Sequence, residues 1–124
     1  MTLLSNITLG FYNGIAKDGK YWELGDKENI MKMIASSPLY GERDQLFIHN
    51  WTPILKDKSL LEAVGYLTNF EIIDNKSSTE IRADCVLYRE FNNPEFILKA
   101  YATDNISPKV SRIITWEIRE QDVA

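Results

Sequence analysis

One histidine, one cysteine and four prolines among 124 residues set the first limits on what this chain can be. The lone Cys85 excludes an intramolecular disulfide, and one Cys with one His cannot fill the four ligand positions of a zinc site. Metal binding through carboxylates alone stays open, but no loop has the ligand spacing of an EF-hand, and no cofactor is expected. Positive charge is also scarce: 14 Lys and Arg against 18 Asp and Glu leave a net charge of −4. Phosphate recognition needs a concentrated basic surface, so nucleic acid is not an expected partner. No run approaches the roughly 18 apolar residues of a membrane span. Met1–Asn6 lacks the basic and apolar regions of a signal peptide, and the expectation is a cytoplasmic protein. Repeats, linkers and low-complexity stretches are missing as well, which predicts a single domain over 1–124.

What the chain does contain is a succession of short apolar segments. Ile7–Ile15 and Tyr21–Leu24, separated by the turn signal Asp18-Gly19, read as a β-hairpin. Asp26 can cap a short helix with Ile30, Met31, Met33 and Ile34 as its apolar stripe, ended by Ser36-Ser37-Pro38. Gln45–His49 reads as a buried strand, and Lys56–Leu61 as one helical turn. Ala63–Ile73 alternates with Val64, Tyr66, Phe70 and Ile72 on one face. After the polar turn Asp74–Ser78, Thr79–Tyr88 returns with Ile81, Ala83, Cys85 and Leu87 inward.

Asn93-Pro94-Glu95 carries three helix-start signals, and Phe96, Ile97, Ala100 and Tyr101 follow at helical spacing, which predicts a helix over Pro94–Thr103. Lys109–Ile118 is the last strand, with Val110, Ile114, Trp116 and Ile118 on one face and Ser111, Ile113, Thr115 and Glu117 on the other. The predicted order is β-β-α-β-β-β-α-β: an α+β domain, mainly antiparallel sheet or small barrel, with two principal helices.

Because His49 is the only imidazole, any mechanism that needs a histidine base runs through it. A serine nucleophile needs such a base within hydrogen-bond reach, whatever the distance in sequence. Ser111 on the last strand is the candidate partner; Ser107 is a rival disfavoured by the turn that Pro108 implies. Any third member must be an acid or polar group, and Asp84 and Glu117 qualify by strand placement alone.

From His49 onward, the order of elements resembles the capsid-maturation (prohead) serine proteases of tailed phages, which share a fold with herpesvirus assemblins. The matching pieces are Ile48-His49-Asn50-Trp51-Thr52-Pro53-Ile54, the strands Val64–Ile73 and Glu80–Tyr88, the helix Pro94–Thr103, and Val110-Ser111. Leu24-Gly25-Asp26 also looks like the family's Gly-Asp segment. The resemblance implies a serine endopeptidase acting on scaffold or capsid proteins, with Ser111 as nucleophile and His49 as base. The chain departs from the pattern in placing Lys109 and Arg112 beside the serine, where the family carries glycine. The competing expectation is a non-enzymatic viral or phage assembly or inhibitor protein. Such a protein would act through protein–protein interaction at an edge strand or an aromatic surface.

Overall fold

The computed structural model describes residues 2–14, 23–51, 63–88, 97–107 and 110–118, with side chains at all of these except 50, 51, 97, 103–107 and 110–112. The elements are β1 (Thr2–Tyr12), α1 (Lys27–Ala35), β2 (Leu46–Trp51), β3 (Ala63–Asp74), β4 (Thr79–Leu87), β5 (Ile97–Ser107) and β6 (Val110–Ile118). The six strands form one antiparallel sheet in the order β1-β4-β3-β2-β5-β6. It curls into a half-barrel.

This corrects the expected α+β class with two principal helices. The segment predicted as a helix over Pro94–Thr103 is strand from Ile97 onward. Its helix-start signals at Asn93, Pro94 and Glu95 lie outside the described residues. The reason is tertiary. Leu98, Ala100 and Ala102 alternate as inward, buried residues of a strand held between β2 and β6. Helix-favouring Ala and Lys cannot outweigh pairing on both sides. The two alanines also leave room for α1, which packs against β5 and is fastened there by Ser37, whose Oγ–H donates to the Tyr101 carbonyl. Of the expected N-terminal hairpin, only its first strand is seen, as part of β1. Its turn, Tyr21 and Trp22 lie outside the described residues, as does the helical turn at Lys56–Leu61, while Glu23 and Leu24 form no strand.

Helix α1 follows from local chemistry as expected. The Asp26 carboxylate accepts from the Asn29 backbone N–H at 2.9 Å, satisfying one of the helix's orphan donors. Ile30, Met33 and Ile34 enter the core on the inner face. Each such side chain contributes roughly 1.5–3 kcal/mol on full burial. From the sheet, Leu46, Ile48, Leu67, Ile81, Ala83, Cys85, Ile114 and Trp116 meet them. The inward sets expected for β4 and for residues 114, 116 and 118 of β6 are buried.

The expected phase of β3 is wrong in its first half. Gly65 and Leu67 point inward, so Tyr66 points out, and only after a register shift between Thr68 and Glu71 does Ile72 turn inward. Asn69, at φ 53, takes up the extra residue in the left-handed region that asparagine tolerates. A matching shift lies in β1 between Leu4 and Ile7, with Asn6 at φ 56. Both bulges flank Asp84 on β4. Its Oδ1 accepts from the Asn6 backbone N–H at 2.7 Å and its Oδ2 from Asn69 Nδ2 at 2.9 Å. The Asn69 amide, followed by the Asn6 N–H, holds the Asp84 carboxyl below the usual aspartate range.

A carboxyl depressed by folding stabilises the protein fully above its unfolded value, about 3.9 for Asp, and that stability is lost as pH falls through the folded value. Asp84→Ala therefore lowers unfolding stability at neutral pH by about 1 kcal/mol, the scale of hydrogen bonds lost at a solvent-accessible site. The deficit shrinks below pH about 4. Denaturant midpoints of the two proteins against pH check both statements.

Candidate functional site

The rows of the sheet fix where each candidate catalytic residue sits, because residues opposite one another on adjacent strands share a face. His49 pairs with Lys99 on β5, and Lys99 pairs with Glu117 on β6. Inward Leu98, Ala100, Trp116 and Ile118 place this row on the outer face, where Lys99 Nζ lies 3.5 Å from Glu117 Oε1. His49 is half-buried.

Ser111 belongs to the other end of β6. Its neighbours Val110 and Arg112 pair with Ser107 and Asp104, and it lies six residues before Glu117. At about 3.3 Å per residue, that is roughly 20 Å along the strand, to which two strand spacings of about 4.8 Å add sideways. The backbone thus does not bring Ser111 and His49 together.

The two acids offered as third members are engaged elsewhere. Asp84 joins the bulges of β1 and β3, and Glu117 faces Lys99, two strands from His49. Burial pushes the Cys85 thiol up to about 12, so at neutral pH it is a protonated core residue. Among the described residues, no group of three or more His, Cys, Asp or Glu is placed to hold a metal ion. Among them, too, no helix is long and apolar enough to cross a membrane.

What the sheet does assemble is an apolar row across its outer face. Leu3 on β1 pairs with Val86 on β4, Val86 with Tyr66 on β3, and Tyr66 with Phe47 on β2. Tyr88 extends it, its ring 6.1 Å from that of Tyr66 at a tilt of 56°. Leu3 is 62% exposed and Tyr88 41%, while Val86 between them is buried. The next row toward Tyr12 is polar, with Asp84 and Thr68, and beyond it come Thr8, Arg82 and Glu71. There Glu80 takes the Arg82 Nε–H and, at 3.0 Å, the Thr8 hydroxyl. These contacts, Arg82 foremost, hold its carboxyl below the usual glutamate range. The apolar row escapes sequence reasoning because simple alternation puts Tyr66 on the same face as Ile72, which is buried. The signal for its true face is Gly65-x-Leu67, whose alternation ends at Asn69.

The sheet's two outermost strands meet at one point. Trp116, 1% exposed, donates its Nε1–H to the Tyr12 hydroxyl at 2.9 Å. Beside this contact lies a cavity of about 220 Å³ lined by Gly10, Phe11, Tyr12, Ile114 and Thr115. Burial raises the Tyr12 hydroxyl above its ordinary value, against a smaller lowering by the Trp116 hydrogen bond.

Fold and surface together define an antiparallel half-barrel, lined by one helix, whose outer face carries an aromatic and aliphatic row beside a polar field. No family model matches the chain, and neither a curated protein nor a solved structure matches it.

The Tyr12–Trp116 contact makes a direct prediction. Tyr12→Phe keeps the ring but leaves a buried indole N–H without its acceptor, which costs about 1–3 kcal/mol. Urea unfolding is expected to show that loss as a lower midpoint with an unchanged slope.

Proposed function

We propose that this protein is a non-enzymatic binding module that engages a partner protein through the row Leu3–Val86–Tyr66–Phe47 and Tyr88. The observation that carries the reading is the register of four adjacent strands, which gathers these side chains on one outward surface with Leu3 and Tyr88 well exposed. Aromatic residues are over-represented at the centres of protein interfaces, where they provide large contact area with a polar handle at the rim. The occupant that fits is a polypeptide surface with an apolar ridge, flanked by groups that can hydrogen-bond to the tyrosine hydroxyls and to the Asp84 and Arg82 field. The phage-protease resemblance makes scaffold or capsid proteins the first partners to try, in a cytoplasmic setting. The peptidase reading gains no support from the sheet, since its rows set Ser111 and His49 far apart.

A photo-cross-linking side chain at position 88 identifies the partner in the native cell. The purified partner is then titrated against wild type and Leu3→Glu, a change at an exposed site that leaves the core intact. Affinity is expected to fall at least roughly tenfold, because binding would bury the new carboxylate against an apolar surface. Equal affinities rule out this surface. Incubating the same partner with wild type and Ser111→Ala tests the enzymatic alternative: neither is expected to cleave it. Cleavage by wild type alone overturns the non-enzymatic reading.

A further inference from the structure

Asn13 and Gly14, at the end of β1, form the dipeptide most prone to spontaneous deamidation, because glycine leaves the following backbone nitrogen unhindered. The fold requires both residues. Asn13 sits at φ 57, a conformation asparagine tolerates better than most residues. A Cβ on Gly14 would lie 2.0 Å from the Ser77 carbonyl oxygen, so no larger residue fits against the β3–β4 turn.

The same structure restrains the reactive amide. Asn13 Oδ1 accepts from the Leu24 backbone N–H at 2.7 Å, and Nδ2 donates to the Gly25 carbonyl at 2.7 Å and to Thr79 Oγ1 at 3.0 Å. Thr79 is itself buried and donates to Asp74 Oδ1 at 3.0 Å. These bonds tie the end of β1 to the strand β4 and to the segment that delivers Leu24 to the core and leads into α1.

We propose that Asn13 is a conformation-gated modification site, shielded from deamidation while its amide is tied to Leu24, Gly25 and Thr79 and modified when that tie opens. In the open chain the Gly14 nitrogen, giving up its proton to solvent, attacks Asn13 Cγ. The C–Nδ2 bond breaks and Nδ2 leaves as ammonia after taking up a proton. Water then opens the succinimide at either carbonyl, leaving Asp or isoAsp at position 13. The Asp product lacks both Nδ2 donors and sets a carboxylate against the Gly25 carbonyl, so the tie does not re-form as before. In isoAsp the extra backbone carbon also displaces Gly14 from the Ser77 carbonyl. Modification therefore locks in the loosened state and marks chains that have opened there.

The test is peptide mapping by mass spectrometry, following the mass gain of deamidation and the isoAsp product at position 13. Whole protein is incubated at mildly alkaline pH, folded and in urea. The folded protein is expected to react at least roughly tenfold more slowly, since reaction then requires local opening. Equal rates overturn the shielding.

Two variants in native buffer separate local from global opening. Thr79→Val removes one acceptor of the Asn13 amide, whereas Asp84→Ala destabilises the sheet elsewhere. At matched stability, Thr79→Val is expected to accelerate deamidation several-fold more. Equal acceleration shows that only global unfolding exposes Asn13, and the local gate is wrong. Asn13→Asp, which mimics one product, is expected to unfold at lower urea than wild type. An unchanged midpoint overturns the claim that modification releases the tie.

Discussion

The Asp84 carboxylate binds both strands that flank it, and at each contact the flanking strand carries one residue more than β4 does. An extra residue in a strand reverses the face of everything after it, because side chains alternate with period two. In β3, inward positions change from Gly65 and Leu67 to Ile72; in β1 they change from Leu4 to Ile7. A second shift in β1, between Thr8 and Gly10, returns the alternation so that Tyr12 reaches Trp116. Without these shifts, either half of each strand would turn its apolar residues to water. Bulges also bend and twist a sheet, which suits one that must curl around α1. The outer row from Leu3 to Phe47 thus depends on the same frame as the core.

How much of this was legible depended on whether a residue's role was set by its neighbours in sequence or by those in space. Helix α1 was legible from Asp26 and its stripe, and β4 from the alternation of Ile81, Ala83, Cys85 and Leu87. Both patterns are local. The segment from Ile97 was not legible. Its apolar residues satisfy helical spacing through Ala100 and Tyr101, and strand spacing through Leu98, Ala100 and Ala102. Contacts with β2, β6 and α1 decide between them. The phase of β3 failed at one residue, Asn69. A polar, left-handed-tolerant asparagine inside an apolar strand marks a bulge, and Asn6 marks one in β1 in the same way.

The candidate site shows the same division. His49 was correctly placed in a strand, though β2 runs on to Trp51 rather than ending at it, and element order cannot say which residues share a row. Its row proves to be Lys99 and Glu117, with Ser111 far along β6. Leu3, Phe47, Tyr66 and Val86 lie far apart in sequence and become one surface only through three strand registers. Asn13 likewise looks like an ordinary turn residue until Leu24, Gly25 and Thr79 are brought to it.

Two bulges held by Asp84 set which residues of β1 and β3 share a face with the inward residues of β4. A cross-strand map of short proton–proton distances by NMR on the labelled protein tests this most directly. Contiguous rows Leu3–Val86–Tyr66–Phe47 and His49–Lys99–Glu117 are expected, with no contact between His49 and Ser111. A row joining Leu3 to Cys85, or a close contact between His49 and Ser111, would contradict that arrangement.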